Sequence, residues 1–179
     1  MFSVKMSLIP EDGVLEEKGL CLALQDFDLE APFMGSGLSL DYSLSRIQPG
    51  QILAQVKARA SMKLECSRCL ADFETMADTE FVSQFEPEPE EINPRNGPDL
   101  EDPELSVVFF DGDHLPLGEE IRQELVLKIP FVPLCRPDCK GLCPICGGDR
   151  NKEPCTCVPG PKDNPFQGLD KLFNQSKET

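Results

Sequence analysis

Apolar and polar residues alternate along much of the first half of this chain, and a period of two marks a strand with one buried face and one wet face. Phe2, Val4, Met6 and Leu8 alternate with Ser3, Lys5 and Ser7. Leu38, Leu40, Tyr42 and Leu44 repeat the pattern after the turn-forming Gly35-Ser-Gly37. The longest run follows Pro49-Gly50. There Ile52, Ala54, Val56, Ala58, Ala60, Met62 and Leu64 share one face, while Gln55, Lys57, Arg59, Ser61, Lys63 and Glu65 share the other. Phe73, Thr75, Ala77, Thr79, Phe81, Ser83 and Phe85 make a further alternating face. Three consecutive strands with short connections predict an antiparallel meander or barrel-like sheet.

The period then changes. Leu105-Ser-Val-Val-Phe-Phe110 is a further strand candidate. Leu117, Ile121, Leu125 and Ile129 recur every fourth residue, the apolar stripe of one main helix, with Glu124 and Lys128 spaced to pair across a turn. Pro130 ends that helix, because proline brings no amide hydrogen and clashes with the preceding turn. Between strand and helix patterns, residues 86–104 contain eight acids, five prolines and one Arg. Such a composition buries too little apolar surface to offset chain entropy and predicts a flexible loop. Near the end, Asn164-Pro-Phe through Phe173 predicts a short helix whose docking face is Phe166, Leu169, Leu172 and Phe173.

The cysteines change this picture most. Eight of the nine fall into four close pairs: Cys66/Cys69, Cys135/Cys139, Cys143/Cys146 and Cys155/Cys157. Two cysteines separated by two residues can aim both sulfurs at one ion, and two such pairs complete a tetrahedral thiolate shell. The eight therefore have the ligand count for two zinc ions. A closed four-thiolate shell suits zinc, although iron–sulfur clusters draw on the same ligands. A disulfide framework would call for an oxidising compartment, and the N-terminal residues lack the basic start and apolar core of a secretory leader. The odd cysteine, Cys21 in Leu20-Cys-Leu-Ala-Leu24, reads as a small buried hydrophobe.

Two sharing schemes are open. In one, Cys66/Cys69 join Cys135/Cys139, leaving Cys143, Cys146, Cys155 and Cys157 as a local second site. Alternatively Cys66/Cys69 face Cys143/Cys146, and Cys135/Cys139 meet Cys155/Cys157. The first is preferred, because a local second site closes a shorter loop. Cys66 and Cys69 fall where one long strand turns into the next, so a metal there would fix a hairpin tip.

These patterns divide the chain into an acidic α+β domain at 1–134 and a cysteine-rich zinc-binding segment with a short helix at 135–179. Charge follows the same division: residues 1–134 carry ten Lys/Arg against 26 Asp/Glu, and residues 135–179 carry seven against six. The body should repel nucleic acid, since phosphate contact needs clustered basic side chains. It suits a basic protein partner such as a ribosomal protein. Limited RNA contact is left to Arg136, Lys140, Arg150 and Lys152, which makes a direct RNA-binding zinc module the first alternative. No apolar run approaches a membrane span.

Catalysis finds little support. His114 is the single histidine, and no phosphate-binding glycine motif is present. Cys66-x2-Cys69 has the spacing of a thiol redox pair, so a thiol oxidoreductase is the second alternative.

At Cys66-Ser-Arg-Cys-Leu70 and Pro133-Leu-Cys-Arg-Pro-Asp-Cys-Lys-Gly-Leu-Cys-Pro-Ile-Cys-Gly147 the chain resembles the large ribosomal RNA subunit accumulation protein family, the YceD-like proteins. The likeness takes in Asn151, Cys155-x-Cys157 and Asn164-Pro-Phe166, and it departs from the common form at Gly148-Asp-Arg150. It implies a non-enzymatic bacterial or organellar factor that supports accumulation of large-subunit ribosomal RNA, and the odd cysteine count suits a reduced, cytoplasmic setting. A large-subunit precursor or a basic ribosomal protein is the implied partner. No catalytic residue transfers with the resemblance; metal ligation is read from spacing alone.

Overall fold

The computed structural model describes residues 1–88 and 106–157, which are mostly β-sheet with one α-helix. The strands are β1 (Val4–Lys5), β2 (Val14–Leu22), β3 (Phe33–Gln48), β4 (Gln51–Glu65), β5 (Asp72–Pro87), β6 (Ser106–Phe110) and β7 (His114–Leu115); the helix is α1 (Leu117–Leu127). Two compact units emerge. One comprises Met1–Ser67 with Ala71–Cys135, and the other holds Arg68–Leu70 and the described residues from Arg136 onward.

The first unit is built on a five-stranded sheet in the order β2-β3-β4-β5-β6. Strands β3 to β5 form the expected antiparallel meander, and β2, which the periodicity did not announce, extends it at one edge. Register between β4 and β5 sets Ile52 opposite Phe85, Val56 opposite Phe81, Ala60 opposite Ala77 and Leu64 opposite Phe73. All seven predicted inward positions of β4 are buried. A slip of one residue would turn every one of them to solvent, so the alternation itself fixes the pairing. Helix α1 lies on β4 and β5, where Ala58, Ala60 and Ala77 leave room for it, and Leu117, Ile121 and Leu125 are fully buried. Glu124, spaced to pair with Lys128, lies 3.5 Å from the buried Thr79 hydroxyl. On the outer face Lys57–Glu80, Arg59–Asp78 and Lys63–Asp72 pair across the strands at 2.7 to 2.8 Å, with side chains more than half exposed. Such pairs contribute at most about 1 kcal/mol each, so the buried face determines the register.

Several expectations are corrected. The sheet is open and not barrel-like, because β2 and β6 end it without pairing to each other. β6 joins β5 in parallel, with Ser106 opposite Ser83 and Phe110 opposite Pro87, a direction that periodicity alone does not encode. The alternation over Phe2 to Leu8 yields only the two-residue β1, paired with β7, followed by a 3-10 turn at Met6–Leu8. Arg46 braces the turn: its guanidinium donates to the Met6 carbonyl at 2.9 Å and to the Ile9 carbonyl at 3.2 Å. Gly35-Ser-Gly37 is no turn but an irregularity inside β3, where pairing with β4 shifts between Met34 and Ser39. A Cβ on Gly37 would stand 2.6 Å from the Leu22 carbonyl oxygen, so β2 can approach only a glycine. Strand β2 itself lacks a clean alternation, and its Cys21 is exposed instead of buried.

Residues 89–104 of the acidic stretch and the predicted helix at 164–173 lie outside the described residues. Among the described residues no helix is long and apolar enough to cross a membrane.

Candidate metal centres

Cys66 directly follows β4 and Ala71 directly precedes β5, so the first cysteine pair lies at the predicted hairpin tip. The Cys66 amide donates to the Ala71 carbonyl at 3.0 Å, and the Ser67 amide donates to the Pro133 carbonyl at 2.9 Å. Leu70, directly after the pair, has φ 57°, a left-handed conformation that lets the chain double back. Gly147 has φ 73° directly after Cys143-Pro-Ile-Cys146. The two pairs thus end in the same backbone device, built once with leucine and once with glycine.

The second unit has no regular helix or strand among its described residues, only a bridge between Leu142 and Asp149. Hydrogen bonds hold it instead. The Arg68 carbonyl accepts from Leu142 N at 3.0 Å, and the Arg68 guanidinium donates to the Cys139 carbonyl at 2.9 Å. Cys143 N donates to the Gly148 carbonyl at 2.8 Å, Gly147 N to the Cys143 carbonyl at 2.9 Å and Arg150 N to the Gly141 carbonyl at 3.0 Å. Buried among its described residues are Cys69, Cys139, Gly141 and Cys143. Sulfur therefore occupies the place that leucine and phenylalanine hold in the first unit. With no apolar core among its described residues, so short a segment calls for a staple.

The sulfurs are gathered in two sets of four. Cys66, Cys69, Cys135 and Cys139 form one, and Cys143, Cys146, Cys155 and Cys157 the other; within each set all Sγ atoms lie within 4.8 Å of one another. This grouping matches the scheme with a local second site. A tetrahedral ion with metal–sulfur bonds of about 2.3 Å needs sulfurs about 3.8 Å apart. Cys155 lies 3.3 Å from Cys143 and 3.6 Å from Cys146, well beyond the ~2.05 Å of a disulfide and close to that requirement. Either set could hold a metal ion.

Electrostatics agree with the need for a cation. Backbone N–H groups of Cys146 and Ile145, with the Cys155 thiol behind them, bring the Cys143 thiol down from 9.0 to about 6. Cys157 goes the opposite way: hydrogen bonds with Cys155 and Cys146, and burial after them, push it up to about 12. Cys143 is thus disposed to ionise and Cys157 is not. A divalent ion removes that conflict by compensating every sulfur at once.

Of the remaining sequence candidates, Arg136, Lys140, Arg150 and Lys152 are all exposed in the second unit. Arg136 is partly engaged, donating to Asn151 Oδ1 at 2.7 Å and lying 3.6 Å from Asp138. His114 sits in β7 with its Nδ1 3.3 Å from the Ser3 hydroxyl, an exposed contact. Sequence reasoning assigned no role to Arg68 or Asn151, both central to the hydrogen bonding of the second unit. Their signal was faint: one lies inside a Cys-x2-Cys pair and the other between two cysteine pairs.

A family model described as "Large ribosomal RNA subunit accumulation protein YceD" matches residues 54–173, two thirds of the chain. An uncharacterized protein of Mycobacterium tuberculosis is 29% identical over 127 residues, covering 71% of this chain and 58% of its own length. The chain thus spans little more than half of that relative, and the same holds for an uncharacterized protein of Mycobacterium bovis. An Arabidopsis thaliana protein named "Large ribosomal RNA subunit accumulation protein YCED homolog 1, chloroplastic" is 31% identical over 64 residues, 36% of this chain and 20% of its own length. No solved structure matches.

Proposed function

Because this chain belongs to the large ribosomal RNA subunit accumulation protein YceD family, we propose that it is a non-enzymatic factor supporting accumulation of large-subunit ribosomal RNA. Two zinc ions, one in each cysteine set, fix loops that present a protein-binding surface. The observation that carries this reading is the gathering of eight cysteine sulfurs into two sets of four. The partner is a large-subunit precursor or a basic ribosomal protein, drawn to a body with 26 acids against ten bases over residues 1–134. Engagement of Arg136 by Asn151 and Asp138 favours protein contact over extended RNA contact.

The test is sedimentation of lysates from cells carrying or lacking the chain. We expect it to comigrate with large-subunit precursors, and its loss to lower large-subunit relative to small-subunit ribosomal RNA. Unchanged particle and RNA profiles would sink the proposal. A thiol oxidoreductase draws support from the lowered Cys143 thiol. Stoichiometric bound metal with no thiol turnover separates the two readings.

A further inference from the structure

Asn151 uses every hydrogen-bonding function of its side chain within the second unit. Its Oδ1 accepts from Lys140 N at 2.8 Å and from the Arg136 guanidinium at 2.7 Å. Its Nδ2 donates to Asp149 Oδ1 at 2.8 Å and to Cys139 Sγ at 3.4 Å. Its own backbone amide also donates to Asp149 Oδ1, at 2.9 Å. The residue lies between Cys146 and Cys155, in the loop of the local sulfur set, yet its carboxamide reaches a sulfur of the other set.

We propose that Asn151 is a positioning residue for the Cys139 thiolate, holding it in ligating orientation from the loop of the neighbouring cysteine set. The inference rests on the metal reading above. An amide donor to a thiolate favours its charged form, and its anchors at Lys140 and Asp149 fix where that sulfur points. Substituting such supporting groups typically loosens a metal 10- to 100-fold. Asn151→Ala keeps the backbone bond to Asp149, so the local set retains its loop.

The experiment challenges the full-length, metal-loaded chain with a chelator and follows release with a metallochromic indicator. Iodoacetamide labelling resolved by cysteine then shows which set opens. We expect Asn151→Ala to expose Cys66, Cys69, Cys135 and Cys139 at least about 10-fold faster than wild type, with the other four within about two-fold. A double variant, Asp149→Asn with Asn151→Asp, keeps an oxygen for Lys140 N and avoids two facing carboxylates, but removes the donor to sulfur. It should open the Cys139 set in the same way.

Wild-type rates in Asn151→Ala, equal opening of both sets, or full protection in the double variant would each overturn the positioning role. A wild-type chain that purifies without metal, all its cysteines labelling together, overturns the metal reading and this inference with it.

Discussion

The two cysteine sets use the same ligand at similar spacing, yet they are placed differently. In the first set Cys66, Cys69 and Cys139 are buried and Cys135 is half-buried. In the second, Cys143 is buried, Cys155 half-buried, and Cys146 and Cys157 exposed. The first set gathers residues from either end of a segment that contains β5, β6, β7 and α1; the second draws on one short loop. Loop-closure entropy scales with the logarithm of length, so bridging Cys69 to Cys135 constrains the unfolded chain by about 1.8 kcal/mol more than bridging Cys146 to Cys155. An ion in the first set is thus tied to the folded state of the sheet, and an ion in the second stabilises mainly its own loop.

The largest expected effect tests that contrast directly. Cys66→Ser should release one ion and lower stability by on the order of 4 kcal/mol, about 10 °C in melting temperature for a chain of this size. Cys157→Ser, at an exposed position, should release the other ion while leaving the main unfolding transition within about 3 °C of wild type. Metal analysis beside calorimetry reads both quantities. Equal losses from the two substitutions would erase the distinction between the sets.

The same contrast explains what the sequence could reveal. β4 and β5 were legible almost residue for residue, because a half-buried hairpin leaves a period-two trace and a slip would expose its whole inner face. α1 was legible through Leu117, Ile121 and Leu125. The parallel placement of β6 was not, since direction depends on a crossover whose path leaves no periodicity. Cys21 misled because it sits in an apolar run, while β2 is an edge strand whose irregularity at Glu17 to Leu20 turns that thiol outward. The cysteine pairs were legible as ligands from spacing alone. Asn151 was not legible as their support, because a single polar residue declares its partners only when the chain is folded.

A smaller effect is expected at Gly141. This residue has φ 68°, and a Cβ added to it would stand 2.9 Å from the Arg68 carbonyl oxygen, which accepts from Leu142 N. Gly141→Ala should cost about 2 kcal/mol, combining left-handed strain with displacement of that carbonyl. Gly147→Ala makes the comparison, since φ there is 73° but no atom lies within 4 Å of the added Cβ. It should cost only the left-handed term, about 1 kcal/mol. Thermal melts of both variants decide the matter; a larger loss at Gly147 would show that crowding at Arg68 is not what requires glycine.

The smallest effect separates the acidic body from both metal sets by its pH dependence. Burial, followed by repulsion from Glu124 and Glu119, raises the Glu120 carboxyl above its ordinary 4.5. A carboxyl raised by folding binds its proton more tightly in the native state, so stability attributable to Glu120 increases as pH falls through the native value toward 4.5. Well above the native value both states are ionised, and the full penalty of holding the charge is present. Glu120→Gln removes that penalty, so the variant should melt slightly higher at pH 7 and lose its advantage in mild acid. Thiolate-bound ions have the opposite slope, because protons compete for sulfur and acid weakens binding. The Glu120 gain should therefore survive in Cys66→Ser and Cys157→Ser backgrounds alike. If it disappears when the first set is disabled, the carboxyl and that ion are coupled, and the body cannot be treated apart from the sulfurs it carries.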